Sequence, residues 1–313
     1  MEFKVFIDGE AGTTGLKVAE RLQAHPHVQI LRVDEAERKN AAARADMMAA
    51  SDVTILCLPD EAAIEAVTLA QASQTRLIDA SSAHRIDPDW VYGFAELQPG
   101  QRDAIANGKL ITNPGCYPTG FLALARPLIA SGLLSNTALV CAPAVSGYSG
   151  GGKAMIAKHD AGDLHPAFSY GTNLQHKHLG EMTLYSGLKT PPIFMPSVGD
   201  FYAGMLVHLP LHADHIKGFA TAAMIYDCLA DWYQGSALVR MGAAAANHAD
   251  VPPMLAADAL AGRNDMELFV FSDATEQRFW LTARLDNLGK GASGAAVQNM
   301  NIALGLDDHF GLS

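Results

Sequence analysis

The chain has 313 residues, 49% hydrophobic and 18% charged, enough for about two domains with well-buried cores. Thirty-three acidic against 22 basic side chains give a net charge of −11, which excludes a general polyanion binder, because nucleic-acid affinity rests on Lys and Arg at phosphates. No apolar run approaches the roughly 20 residues that span a bilayer, and the opening segment reads straight into a strand, so a cytoplasmic globular protein with neither nucleic acid nor membrane as partner is expected.

In chain order, residues 2–8 alternate around Val5 and Ile7 as a strand, and a glycine-rich turn over residues 9–15 follows at once. Helical spacing continues through Val18, Ala19 and Leu22. Residues 28–34 read as a second strand, 52–58 as a third closed by Pro59, 62–72 as a helix and 76–79 as a fourth strand. Near-continuous apolar strands alternating with helices predict a parallel sheet covered on both faces, an α/β Rossmann-like doubly wound domain. The middle of the chain changes character. A helix is expected over 121–129, a buried strand over 137–145, a Gly/Ser-rich loop over 147–152 and a helix over 179–188. Period-two alternation at Met205, Val207, Leu209 and Leu211, and again at Phe279, Leu281, Ala283 and Leu285, predicts an α+β domain with a largely antiparallel sheet. Helices such as 216–233 would cover one face of it. Ala243–Ala246 reads as a loop or a helix end, and residues 292–304 as a helix.

Two local patterns carry chemistry. In the turn, Gly9, Gly12 and Gly15 depart by one residue from the usual Gly-x-Gly-x-x-Gly spacing, and Thr13 and Thr14 add hydroxyl donors. A glycine turn between a first strand and a first helix aims backbone N–H groups at a pyrophosphate, so a dinucleotide is expected. After the second strand, Asp34 stands where an acid would favour NAD, while Arg38 and Lys39 would suit a 2′-phosphate; the residues leave both open.

The second pattern surrounds Cys116. The four cysteines form no CxxC pair and no zinc spacing, and Cys57, Cys141 and Cys228 sit in apolar stretches as buried small hydrophobes. Cys116 stands instead in Asn-Pro-Gly-Cys-Tyr-Pro-Thr-Gly, just before a helix, where a thiolate gains stability from the helix N-terminus. Of the 12 histidines, His25, His27, His248 and His309 are expected to be solvated. His208, His212 and His215 border a strand without any cysteine or carboxylate cluster, so no metal is expected. His176 or His178, before the 179–188 helix, is the candidate acid/base.

On these motifs the chain resembles the N-acetyl-γ-glutamyl-phosphate reductases of the semialdehyde dehydrogenase superfamily, in their shorter bacterial subfamily. The resemblance runs through the glycine turn, Asp79-Ala-Ser-Ser-Ala-His-Arg85, Asn113–Thr119, Val145–Lys153, His176-Lys-His178 and Asn287–Asn299. One departure is Gly180, where the family has proline before Glu181. The resemblance implies reduction of an acyl phosphate by NADPH through a thioester on Cys116, with His176 exchanging a proton at the thiohemiacetal oxygen and no metal. It implies Arg85, His178 and Lys153 as substrate ligands. Gly9, Gly12, Thr13, Thr14, Gly15, Arg38, Ser81, Ser149, Gly150 and Asn287 would bind NADP(H). It also implies a cofactor domain over 1–116 completed by 287–313, a catalytic and oligomerisation domain over 117–286, and a homo-oligomer, dimer or tetramer. Rival readings are a relative acting on aspartyl phosphate or on a carrier-bound aminoadipate, a non-enzymatic dinucleotide sensor, and a metal hydrolase built on His208, His212 and His215.

Overall fold

The computed structural model describes residues 2–218, 221–242 and 254–312. The Ala243–Ala246 run and His248 lie outside them. Two compact units emerge: Met1–Ala95 with Gly100–Pro114 and Ala292–Ser313, and Glu96–Pro99 with Gly115–Gly291. No helix among the described residues is long and apolar enough to cross a membrane.

The first unit opens with β1 (Phe3–Asp8), α1 (Thr13–Gln23), β2 (Val28–Leu31), α2 (Ala41–Ala50), β3 (Val53–Leu56), α3 (Asp60–Leu69) and β4 (Arg76–Asp79), and adds β5 (Val91–Tyr92), α4 (Gln101–Asn107) and β6 (Leu110–Thr112). All pairings in the order β2-β1-β3-β4-β6-β5 are parallel. Successive crossovers leave β1 toward β2 and then toward β3, so the order reverses there, and the crevice beyond the ends of β1 and β3 is where such sheets take ligands. The doubly wound expectation holds. The second strand is shorter than expected: β2 pairs with β1 only as far as Leu31, and residues 32–34 turn out of the sheet. The low-contrast helix α2 was not expected; Asn40 caps it, its side chain accepting from the Ala42 and Ala43 N–H groups. Phe6, Met48, Leu56, Ala66, Leu77 and Trp90 form a buried cluster beneath the sheet.

The second unit contains α5 (Cys116–Ala130), β7 (Cys141–Gly147), α6 (Gly152–Asp160), β8 (Ala167–Ser169), α7 (Leu179–Ser186), β9 (Ile193–Gly199), β10 (Met205–His212), α8 (Ala222–Trp232), β11 (Val239–Met241), β12 (Met266–Ser272) and β13 (Arg278–Leu285). Its sheet runs β11-β12-β13-β10-β7-β9-β8, with β11–β12 and β7–β9 parallel and the rest antiparallel. Helix α5 starts five residues earlier than its apolar spacing suggests, because Pro118 falls in the first turn, where no backbone donor is needed. Phe121, Leu122, Leu124 and Leu128 on α5 are fully buried, each worth about 1.5–3 kcal/mol. Gly120 lets the helix settle on the sheet, since a Cβ there would lie 2.8 Å from Val207 Cγ2. Strand β7 begins at Cys141 and not at residue 137, because the Ala138 N–H turns back onto the Ser135 carbonyl. The expected Gly/Ser loop is a short turn followed by α6, which lacks an apolar face and gave no periodic signal.

The last described helix, α9 (Gly294–Ala303), packs on α1, α4 and β4 inside the first unit. Asn299 Nδ2 donates to the Gly93 carbonyl at 2.9 Å and to Asn113 Oδ1 at 3.1 Å. A Cβ at Gly93 would sit 2.3 Å from that nitrogen, so glycine is required there for this approach.

Candidate active site

In the first unit a cleft of about 960 Å³ opens beyond β1 and β3, within the size range of small-molecule sites. Gly9 and Gly12 line it, together with Arg32, Glu35, Arg38, Lys39 and Cys57. Gly9 has φ +90°, and a Cβ on it would lie 2.4 Å from the Cys57 carbonyl oxygen. A Cβ on Gly15, inside α1, would lie 2.4 Å from the Gly9 carbonyl oxygen. The loop is therefore held by its own backbone. Gly12, the N-cap of α1, meets only ordinary contacts and leaves its surroundings open. Thr13 and Thr14 are the first residues of α1. Lys39 and Arg38 stand in the cleft wall, Arg38 with Glu35 at 3.7 Å, whereas Asp34 is not part of that wall. Beneath the turn, Asp8 and Arg44 form a buried ion pair at 2.9 Å, and burial holds the Asp8 carboxyl above its ordinary range despite the guanidinium.

Ser81 does not reach this wall. Its N–H and Oγ both donate to the fully buried Asp79, which also meets His84 Nδ1 at 2.7 Å, and His84 stacks on Trp90. Arg85, on the same loop, is buried, with Nη2 donating to the Ala80 carbonyl.

In the second unit Cys116 is the first residue of the fifteen-residue helix α5, with Gly115 as N-cap. The Gly115 N–H donates to Glu181 Oε2 at 2.9 Å, and Glu181 is fully buried on the first turn of α7. Its pattern signalled only an acid at a helix start, so sequence reasoning passed it over. Two phenols border the thiol. Burial above all, with the charge of Cys116 adding to it, pushes Tyr170 up to about 12, while burial and then Tyr170 and Cys116 raise Tyr117 well above its usual value. The Tyr117 ring, next to Cys116 in the chain, lies 6.0 Å from His178. Tyr117 also donates to the Ser197 carbonyl. The Tyr170 ring lies 5.8 Å from His176, and His176 lies 4.6 Å from His178 and 5.1 Å from Phe194. Cys116, Tyr170, His176, His178 and Glu181 thus form one cluster.

The two histidines differ in what they offer. The His178 backbone N–H donates to His176 Nδ1 at 3.1 Å. That nitrogen must be an acceptor, so the neutral ring carries its hydrogen on Nε2 and presents a donor. His178 is buried at the N-cap of α7.

Ser149, Gly150 and Asn287 also come together. Asn287 Nδ2 donates to Ser149 Oγ at 3.0 Å, its Oδ1 accepts from the Gly204 N–H at 2.8 Å, and a Cβ on Gly150 would lie 3.5 Å from Nδ2. His159 stacks on Tyr148 and meets Asp200 at 3.2 Å, supporting the turn that carries Ser149. Lys153 is exposed on α6.

Two expectations need correction. His25 is buried, not solvated: its Nε2 meets Asn301 Oδ1 at 3.0 Å, and burial lowers its basicity. Cys57, Cys141 and Cys228 all keep partial exposure, as does Cys116. Cys57 borders the cleft, Cys141 opens the outer face of β7, and Cys228 lies beside Ser131. Burial and the neighbouring Asp79 and Asp8 push the Cys57 thiol up to about 12, so partial exposure does not make it reactive. His208 is engaged within the sheet: Trp280 Nε1 and Thr282 Oγ1 both meet its Nδ1, at 3.0 and 2.9 Å.

Residues 4–107 match the family model for the semialdehyde dehydrogenase NAD binding domain, and residues 116–287 that for the semialdehyde dehydrogenase dimerisation domain. The sequence is 47% identical to an N-acetyl-gamma-glutamyl-phosphate reductase of Trichormus variabilis over 99% of both chains. It is 48% identical to one of Brucella anthropi over 97% of this chain and 99% of that one. Among solved structures, aspartate semialdehyde dehydrogenase II of Vibrio cholerae, complexed with ASA, superposes with a TM-score of 0.70 at 16% identity, over 97% of this chain and 98% of that one. The aspartate semialdehyde dehydrogenase of Candida albicans with NADP gives 0.65 at 13%, over 96% and 98%. These two share the fold.

Proposed function

This chain belongs to the N-acetyl-γ-glutamyl-phosphate reductase family of semialdehyde dehydrogenases, and from that premise we propose how its residues work. The reaction is the reduction of N-acetyl-L-glutamyl 5-phosphate by NADPH to N-acetyl-L-glutamate 5-semialdehyde and phosphate, in arginine biosynthesis. The observation that carries the residue assignment is the placement of Cys116 at the head of α5, between Gly115, bonded to Glu181 of α7, and Tyr117, whose ring lies 6.0 Å from His178 and so beside the His176–His178 pair.

NADPH fits the first unit: the cleft has the volume, the glycine turn leaves Gly12 open at the N-terminus of α1, and Arg38 and Lys39 offer cations to a 2′-phosphate. When bound, it supplies the hydride. Gly9, Gly12, Thr13, Thr14 and Gly15 would hold the pyrophosphate through backbone and hydroxyl donors. Ser149, Gly150 and Asn287 form a polar, hydrogen-bonded set suited to a carboxamide, and Ser81 acts by shaping its loop around Asp79.

The Cys116 thiolate attacks the acyl carbon, the carbon–oxygen bond to phosphate breaks, and a thioester remains. After reduction the carbon carries an oxyanion. His176 Nε2–H donates to that oxygen and exchanges the proton there, and collapse of the thiohemiacetal returns the aldehyde and the thiolate. His178 orients substrate beside His176, Lys153 offers a cation to an anionic group, and Arg85 a planar fork. A Cys116→Ser enzyme assayed with the semialdehyde, phosphate and NADP tests this: turnover falls at least about 10³-fold. Near-wild-type turnover sinks the nucleophile assignment.

The protein is proposed to act in the cytoplasm as a homo-oligomer, dimer or tetramer. The outer face of the second sheet supports this, since it exposes Ile193, Met195 and Trp280, half of whose surface or nearly so stays in contact with solvent in one chain. Trp280→Glu, examined by sedimentation, tests the association: a lower-mass species is expected.

A further inference from the structure

A lysine at 1% exposure is among the largest fully buried side chains of the molecule, and no step above uses it. Lys290 Nζ donates to both carboxylate oxygens of Glu96, at 2.9 and 2.7 Å. An ion pair withdrawn this far from water is a poor source of stability, because desolvation offsets most of the attraction. Its location suggests another role. Lys290 lies in a π turn, Gly289–Ser293, whose characteristic bond runs from the Gly291 N–H to the Asp286 carbonyl at 2.9 Å. Such turns recur at functional sites. Gly291 backs directly onto the nucleophile: a Cβ there would lie 2.7 Å from Cys116 Cβ.

Two anchors fix the start of this turn. Asp286 accepts from the Gly262 and Leu288 N–H groups, and Asn287 binds Gly204 and Ser149. The Lys290–Glu96 pair is the anchor next to Gly291. The segment bearing Glu96 is in turn tied to α5, because Arg126 Nη2 donates to Gln98 Oε1 at 2.8 Å. Residues 96–99 therefore join the helix that presents Cys116 to the turn that backs it.

We propose that Lys290 and Glu96 are a positioning pair, which sets the seat of the Cys116 side chain by holding Gly291 against it. This rests on Cys116 being the nucleophile. Neither side chain touches substrate in this assignment; both act through the turn. Displacing a reacting group by about 1 Å costs on the order of 10²-fold in rate.

The test uses full-length Lys290→Met, Glu96→Gln and Gly291→Ala, with Cys116→Ser alongside. Glu96→Gln retains an oxygen acceptor for the ammonium and serves if Lys290→Met fails to fold. Three quantities are measured: kcat and KM per folded active site, the rate of Cys116 alkylation by iodoacetamide, and the thermal midpoint. The proposal expects kcat to fall about 10- to 100-fold, with KM for acyl phosphate and NADPH within about twofold of wild type. Alkylation should change severalfold in the same variants. Wild-type kcat and alkylation in Lys290→Met or Glu96→Gln, or a loss confined to the thermal midpoint, overturns it. An active Cys116→Ser enzyme would overturn the nucleophile assignment instead, and alkylation still reads the seat whatever the substrate.

Discussion

In the first unit the cleft is shaped by one continuous turn, Gly9–Gly15, and by the strand ends beside it. In the second, Cys116 draws its surroundings from residues 115, 170, 176–181 and 286–291. A local turn is stiffened by its own backbone, and changes within it act on one ligand. A seat assembled from distant segments is stiffened by side-chain bonds, and each bond is a separate point of failure.

The largest effect that would sharpen this contrast comes from Gly9→Ala. With φ at +90° and a Cβ 2.4 Å from the Cys57 carbonyl, the turn must shift, at about 3 kcal/mol. Titration by NADPH fluorescence should show a dissociation constant raised roughly 100-fold, with Cys116 alkylation unchanged. If alkylation slows equally, the two sites are not separable. Glu181→Ala removes the partner of the Gly115 N–H and should cost about 2 kcal/mol in urea unfolding. Here kcat should fall while NADPH affinity holds.

A pH effect comes next. Burial lowers His208 to about 4 from an ordinary 6.5, so the unfolded chain binds a proton there that the folded chain refuses. Stability from this group is present above pH 6.5, falls as pH drops through 6.5, and levels off near 4. The loss is about 2 kcal/mol after allowance for partial exposure. In His208→Asn the acid limb of a denaturation series should flatten; an unchanged limb contradicts the assignment. Smallest is Arg38→Ala, where an exposed cation should be worth about 1 kcal/mol, weakening NADPH some fivefold and NADH hardly at all. Equal loss for both would place the 2′-phosphate elsewhere.

The same contrast explains what could be read from the chain alone. The turn at Gly9 and the Pro-Gly-Cys-Tyr-Pro bend at Cys116 are local patterns with local causes, and both were legible. So was the doubly wound sheet, whose strands are apolar on both faces. Glu181 was not, because its partner is the backbone 66 residues earlier. His25 looked solvated among polar neighbours, and it is Asn301 and Phe310, far along the chain, that close over it. Lys290 carried no signal in its glycine-rich stretch, because its partner Glu96 lies 194 residues earlier in the chain. Asp34 and Arg38 stood equal in sequence; the early end of β2 turned the chain so that Arg38, not Asp34, meets the cleft.

Helix α9 has a consequence for how the molecule comes into being. It supplies the wall on which α1, α4 and β4 rest, and Asn299 ties Gly93 to Asn113. On the ribosome, residues 1–114 emerge long before residue 294. The first unit must therefore wait, its apolar helix faces uncovered, for roughly ten seconds or more at ordinary elongation rates. During that interval the nascent chain is a substrate for chaperones, and the unit made first is the one completed last.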